Sequence, residues 1–144
     1  MKFNTVLLPI DFSNHAEAAC AAGLEMAARD GAQVIALHVL PISDLVMGEY
    51  PVTMVNQLQT DLQADAEQRM QAWVGKQRGS IESLVLWGNP PIDICRIAAE
   101  RHADLIVTST HGRTGLAHLF MGSVAERVVR HAPCSVLVVR AQLT

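Results

Sequence analysis

Aromatic side chains make up only 4% of the 144 residues, and Lys plus Arg number 11 against 14 Asp plus Glu, a net charge of −3. The first scarcity removes the stacking platforms that single-stranded nucleic acids need. The second leaves no basic face to neutralise phosphates, so no nucleic-acid partner is expected. No apolar run approaches the length that crosses a bilayer, and no membrane association is expected. The opening Met1-Lys2-Phe3-Asn4 runs straight into a strand-like segment without a small-residue cleavage site. No signal peptide is read there, and a cytoplasmic location is expected. Cys20, Cys95 and Cys134 are widely spaced in apolar segments, without C-x-x-C or a histidine cluster. They read as buried thiols of a reducing compartment, with no metal site.

Several catalytic signatures are also missing. There is no G-x-x-x-x-G-K-[ST], which excludes a Walker-type NTPase. No G-x-G-x-x-G follows the first strand-like run, which argues against a dinucleotide fold. Leu86-Trp87-Gly88 stands where a phosphoacceptor receiver domain would carry an aspartate. Ser109 lies near His111, but there is no G-x-S-x-G elbow and no third partner, so no catalytic residue is assigned.

What is present is aliphatic. Half the residues are hydrophobic, mostly Ala, Val, Leu and Ile, a mix that suits central parallel strands under Ala-rich helices. The length suits a single domain over 1–144. Strand-like runs at 5–9, 33–40, 81–87, 104–109 and 134–140 alternate with helical patterns at 13–30, about 51–79, 90–102 and 124–131. Ser13 or Asn14 can cap the first helix, and Asn89-Pro90 opens the third. Residues 41–51 read as a loop. His38, inside an apolar strand, reads as a hydrogen-bonded core histidine. The βαβαβαβαβ order implies an α/β fold, a parallel sheet with helices on both faces.

Ligands on such sheets bind beyond the carboxyl ends of the strands, at the point where strand order reverses. Two loops are expected to meet there, 9–13 and 109–123. The second reads S-T-H-G-R-T-G-L-A-H-L-F-M-G-S, with Gly112, Gly115 and Gly122 ahead of a helix start. Glycines admit close backbone approach to an anion, and first-turn amides point toward it. Arg113 can reach a phosphate. Ser123 has two readings: with Glu126 it forms a capping box, or it contacts phosphate. Asp11 either favours the first helix's dipole or accepts from a ribose hydroxyl or base amine. Pro9 and Val39 can wall an adenine ring.

The chain resembles the universal stress protein family over nearly its whole length. The likeness is carried by Val6-Leu7-Leu8-Pro9-Ile10-Asp11-Phe12-Ser13, Leu37-His38-Val39, Gly88-Asn89-Pro90 and Ala103-Asp104-Leu105-Ile106-Val107. It continues through His111-Gly112-Arg113-Thr114-Gly115-Leu116, Gly122-Ser123-Val124-Ala125 and Ala132-Pro133-Cys134-Ser135-Val136-Leu137-Val138-Val139-Arg140. The resemblance implies a five-stranded parallel sheet of order 3-2-1-4-5, Rossmann-like, and a homodimer joined along the last strand at 135–140. It implies a regulatory protein of the stress response that binds ATP, ADP or AMP, with Mg2+ admitted through the phosphates and a regulatory protein partner.

Carried over by that likeness, Gly112, Gly122, Ser123 and Val124 fall on phosphate-binding positions. Pro9, Ile10, Asp11, Val39 and Thr108 fall on adenine and ribose positions. The family's ATP-binding pattern Gly-x2-Gly-x9-Gly-Ser/Thr reads Ser109-x2-Gly112-x9-Gly122-Ser123 here. Ser109 adds a Cβ where backbone meets ligand and resists a positive φ. Two alternatives therefore accompany the nucleotide-binding reading: an interaction protein that binds no nucleotide, and a slow ATPase.

Overall fold

The computed structural model describes residues 1–45, 49–111 and 121–141. Five strands are formed: β1 (Thr5–Pro9), β2 (Gln33–Pro41), β3 (Ile81–Gly88), β4 (Leu105–Ser109) and β5 (Ser135–Val139). The helices are α1 (Asn14–Asp30), α2 (Val52–Gly75), α3 (Pro90–Glu100) and α4 (Ser123–His131). All neighbouring strands pair in parallel, in the order β3-β2-β1-β4-β5, as the family resemblance implies. The loop expected at 41–51 is structured at its start: β2 runs through Pro41 and a 3-10 turn follows over Ile42–Leu45, while 46–48 lie outside the described residues.

The sheet is buried on both faces because successive residues of each strand point to opposite sides. Val6, Leu8, Val34, Ala36 and Val107 pack under α1 and α2, against Ala19, Cys20, Met70 and Trp73. Leu7, Ile35, Leu37 and Ile106 pack on the other face, with Ile94, Ile97 and Ala98 of α3 and Val128 of α4. Close approach of α1 depends on Gly23, where an added Cβ would stand 2.4 Å from Leu8 Cδ2 and 3.2 Å from Val107 Cγ2. Cys20 is buried as expected, but Cys95 and Cys134 are only half-buried, because both lie at the margin of the core.

Local signals explain the helix ends. The Ser13 side chain caps α1 by accepting from the Ala16 amide at 3.2 Å, and Gly31 closes it at φ 69°. Asn89 stands at the start of α3, but its side chain makes no cap. Instead Asp93 Oδ2 accepts the Asn89 amide at 2.7 Å.

The amino edge of the sheet is tied by carboxylates. Asp30 accepts the Phe3 amide at 2.9 Å, and Asp104 accepts the amides of Asn4 and Thr5 at 2.9 and 3.1 Å. The carboxyl edge carries the loops.

Candidate functional site

β1 is hydrogen-bonded to β2 on one side and β4 on the other, and the chain leaves β1 and β4 toward opposite faces of the sheet. In parallel sheets such a divergence marks the place for a crevice at the carboxyl edge. The pairs Leu7↔Ile106 and Pro9↔Leu37 set the levels on the three strands. Pro9 and Thr108 each stand two residues beyond the first pair, and Val39 two beyond Leu37, at the same edge. Thr108 and Val39 are buried, and Pro9 is half-buried.

Ile10 is held rather than presented. Its side chain is in the core, its amide donates to Leu37 O at 2.8 Å, and its carbonyl accepts from His38 Nδ1 at 2.6 Å. Because a carbonyl only accepts, the hydrogen is on Nδ1. His38 is thus the hydrogen-bonded core histidine that the sequence suggests, and it locks the turn out of β1.

Beyond Ile10 the chain reverses at Phe12, which adopts φ 64°, an uncommon conformation for a bulky residue. Its ring centroid lies 4.8 Å from that of His38. The reversal lets Asp11 Oδ1 accept from both the amide and the hydroxyl of Ser13, at 3.0 and 2.5 Å. Asp11 therefore supports the start of α1 with one oxygen, while the second takes no partner among the described residues. The two sequence readings of Asp11 are compatible.

The β4 side is closed by main-chain bonds. Ser109 is half-buried, its Oγ donates to His111 O at 2.7 Å, and its φ is outside the left-handed region. A glycine is not required there on conformational grounds. The Thr110 amide donates to Val139 O at 3.1 Å, and the Gly122 amide donates to Thr110 O at 2.6 Å. The ends of the long loop are joined. Gly122 consequently offers space instead of a donor: a Cβ there would stand 3.1 Å from Thr110 O.

This closure moves the start of α4 by one residue from the sequence expectation. Gly122 is the cap residue and Ser123 is the first helical residue, with no side-chain cap bond. The capping box is not formed; Glu126 instead pairs with Arg130 at 2.7 Å. The first intrahelical bond runs from the Glu126 amide to Gly122 O at 3.0 Å. The amides of Ser123, Val124 and Ala125 precede it and have no acceptor within the helix. Ser123 and Val124 are exposed. Gly112 and Arg113 lie outside the described residues.

Two further residues flank the crevice that the sequence reading left unassigned. The rings of His15 and His111 face each other at 5.6 Å, tilted by 49°. His15 Nδ1 is buried without a hydrogen-bond partner among the described residues. Neither histidine has a sequence signature at this separation. Among the described residues no three His, Cys, Asp or Glu side chains gather where they could hold a metal. The groups assembled at this edge are three first-turn amides of α4 and the Asp11 carboxylate.

Comparison with known proteins agrees with this architecture. The model of the universal stress protein family matches residues 2–140. A universal stress protein of Thermus aquaticus is 34% identical over 141 residues, covering 96% of this chain and 99% of its own length. The solved universal stress protein UspA from Lactobacillus plantarum superposes with a TM-score of 0.78 at 26% identity, over 97% of this chain and 99% of that one. A universal stress protein from Archaeoglobus fulgidus solved in complex with dAMP shares the fold, with a TM-score of 0.65 at 23% identity, over 96% of this chain and 98% of that one. Another, solved in complex with cAMP, matches at a TM-score of 0.65 and 23% identity, over 99% of this chain and all of that one. With both the sequence match and the sheet order in agreement, this chain belongs to the universal stress protein family.

Proposed function

We propose that the carboxyl-edge crevice between β1 and β4 binds an adenine nucleotide, and that the protein acts as a regulator through its nucleotide state. The observation that carries this reading is the closed Thr110–Gly122 junction, which leaves the first-turn amides of Ser123, Val124 and Ala125 as donors. Three such amides at the positive end of a helix favour a phosphate. Asp11 supplies an acceptor on the opposite side, suited to a ribose hydroxyl or the adenine amine. Pro9, Val39 and Thr108 line the edge between them. Gly112 and Arg113 are assigned to the phosphates by family likeness alone. The family members solved with cAMP and dAMP support adenine as the base.

ATP, ADP and AMP all suit this arrangement, with Mg2+ entering on the phosphates. Hydrolysis is not part of the proposal. β5 forms one edge of the sheet, and its sequence Ser-Val-Leu-Val-Val carries no charge or proline to discourage strand addition. That supports a homodimer along β5.

Thermal unfolding with ATP, ADP and AMP in turn tests the reading, because a ligand selective for the native state raises stability. A rise in Tm with at least one nucleotide, abolished in Gly122→Val, is expected. No rise with any of the three at millimolar concentration, with Gly122→Val unfolding like the wild type, overturns it.

A further inference from the structure

Helix α2 is longer than the sheet it covers. Its 24 residues extend about 36 Å, whereas the eight residues of neighbouring β3 extend about 26 Å. Only Ala66, Met70 and Trp73 are buried in it, so nothing from 52 to 65 reaches the core. Yet the apolar pattern does not stop where burial stops. The row Met54, Leu58, Leu62, Ala66, Met70 repeats every fourth residue and so forms one continuous ridge. Along it, exposure falls from 58% at Met54 and 40% at Leu58, through half-buried Leu62, to 3% at Ala66 and 1% at Met70. Ile42, Tyr50 and Val52, at the same end of the helix, are also exposed. The lower half of the ridge is core, and the upper half is the same surface with no cover among the described residues.

The stretch of chain that carries this surface is charged with one sign. No Lys or Arg occurs between Arg29 and Arg69, while Asp44, Glu49, Asp61, Asp65 and Glu67 all fall in that interval. Asp61 stands three residues after Leu58, and Asp65 three after Leu62, so both acids border the ridge. Asp65 is paired with Arg69, but among the described residues Asp61 accepts only from the Gln57 amide group. An apolar ridge with an acidic border complements a segment that is apolar on one face and cationic on the other.

We propose that the overhanging half of α2 docks a cationic amphipathic helix of a partner protein, seated on Met54, Leu58 and Leu62. This assignment is separate from the nucleotide reading and needs no nucleotide. The charge border is what selects this occupant: a second copy of this chain would bring the same acids against the same acids.

Fluorescence anisotropy of a labelled 18-residue Leu/Lys amphipathic peptide, titrated with the full chain, tests the proposal, with a Leu/Glu peptide of the same pattern as reference. Binding of the Leu/Lys peptide in the range of about 1–100 µM is expected, weakening with salt. The exposed double variant Met54→Gln with Leu58→Gln should weaken it at least about tenfold, and Asp61→Asn about threefold. Glu25→Gln, on the exposed face of α1, should leave it unchanged. No binding overturns the proposal, as does equal binding by the double variant or by the Leu/Glu peptide. Sedimentation provides the last arm. Self-association of the wild type that the double variant abolishes would mean that a second copy covers the ridge, and would also overturn the proposal.

Discussion

Gly122 donates its amide to the carbonyl of Thr110 at 2.6 Å, joining the two ends of the long loop at the point where β4 gives way to α4. The bond fixes where α4 begins and so which amides are left unpaired. It is tight enough that a methyl group at position 122 would sit 3.1 Å from the same oxygen. Gly122→Ala is therefore expected to lengthen this bond and shift the first turn of α4. Nucleotide affinity, measured by calorimetry, should fall about tenfold while the stability change stays near 1 kcal/mol.

The buried ring of His38 donates to the Ile10 carbonyl. His38→Leu keeps the apolar volume but removes the donor to that buried carbonyl. A loss of about 1–3 kcal/mol in urea unfolding is expected. The same substitution removes the ring that Phe12 packs against, so it should also disorder the turn that presents Asp11.

Acid should loosen the amino edge of the sheet before the rest. The Arg29 side chain and the Phe3 amide hold the Asp30 carboxyl down at about 2, against an ordinary 3.8. At Asp104 burial opposes ionisation, but bonds from Asn4 and Thr5 outweigh it and the carboxyl is also held low. A depressed carboxylate contributes stability that is complete above its unfolded value and is lost as pH falls through its folded value. Stability should therefore decline from pH 3.8 toward about 2. Amide exchange at Phe3, Asn4 and Thr5 should accelerate in that window, and Asp104→Asn should flatten the response at Asn4 and Thr5.

The thiols should react slowly in the native protein. Burial, with the nearby charges of Asp11 and Glu17, pushes Cys20 up to about 12. Burial raises Cys95 and Cys134 as well. The thiolate is the reactive form, so a disulfide exchange reagent at neutral pH should modify Cys20 last, on the timescale of unfolding. Rapid labelling of Cys20 would show that α1 opens locally from the sheet.

Much of the fold was legible because each strand is a short apolar run bounded by turn residues. The core role of His38 was also readable, and the cap of α1 was narrowed to Ser13 or Asn14, since both follow from immediate neighbours. The strand order came from family likeness, because periodicity alone does not rank strands. What the sequence hid depends on tertiary contacts. Ser123-Val124-Ala125-Glu126 has the pattern of a capping box, but the Thr110 carbonyl captures Gly122 and sets the helix start. Phe12 carries no mark of a left-handed conformation, since its neighbours, His38 above all, compensate the strain. The meeting of His15 with His111 joins segments nearly a hundred residues apart. At Ser109 the backbone is outside the left-handed region, so the conformational part of the expected difficulty is absent.

The central position of β1 has a consequence for synthesis. β1 leaves the ribosome well before one of its neighbours, β4, which begins at Leu105, and the amino end of β1 is held by Asp104. A nascent chain can pair β1 with β2 early, but that pair presents an open apolar flank until β4 has emerged. The interval is one in which strand-pairing errors and chaperone capture compete with folding. For this protein the middle of the sheet is completed late, and translation through the β3–α3 segment sets how long the first strand must wait.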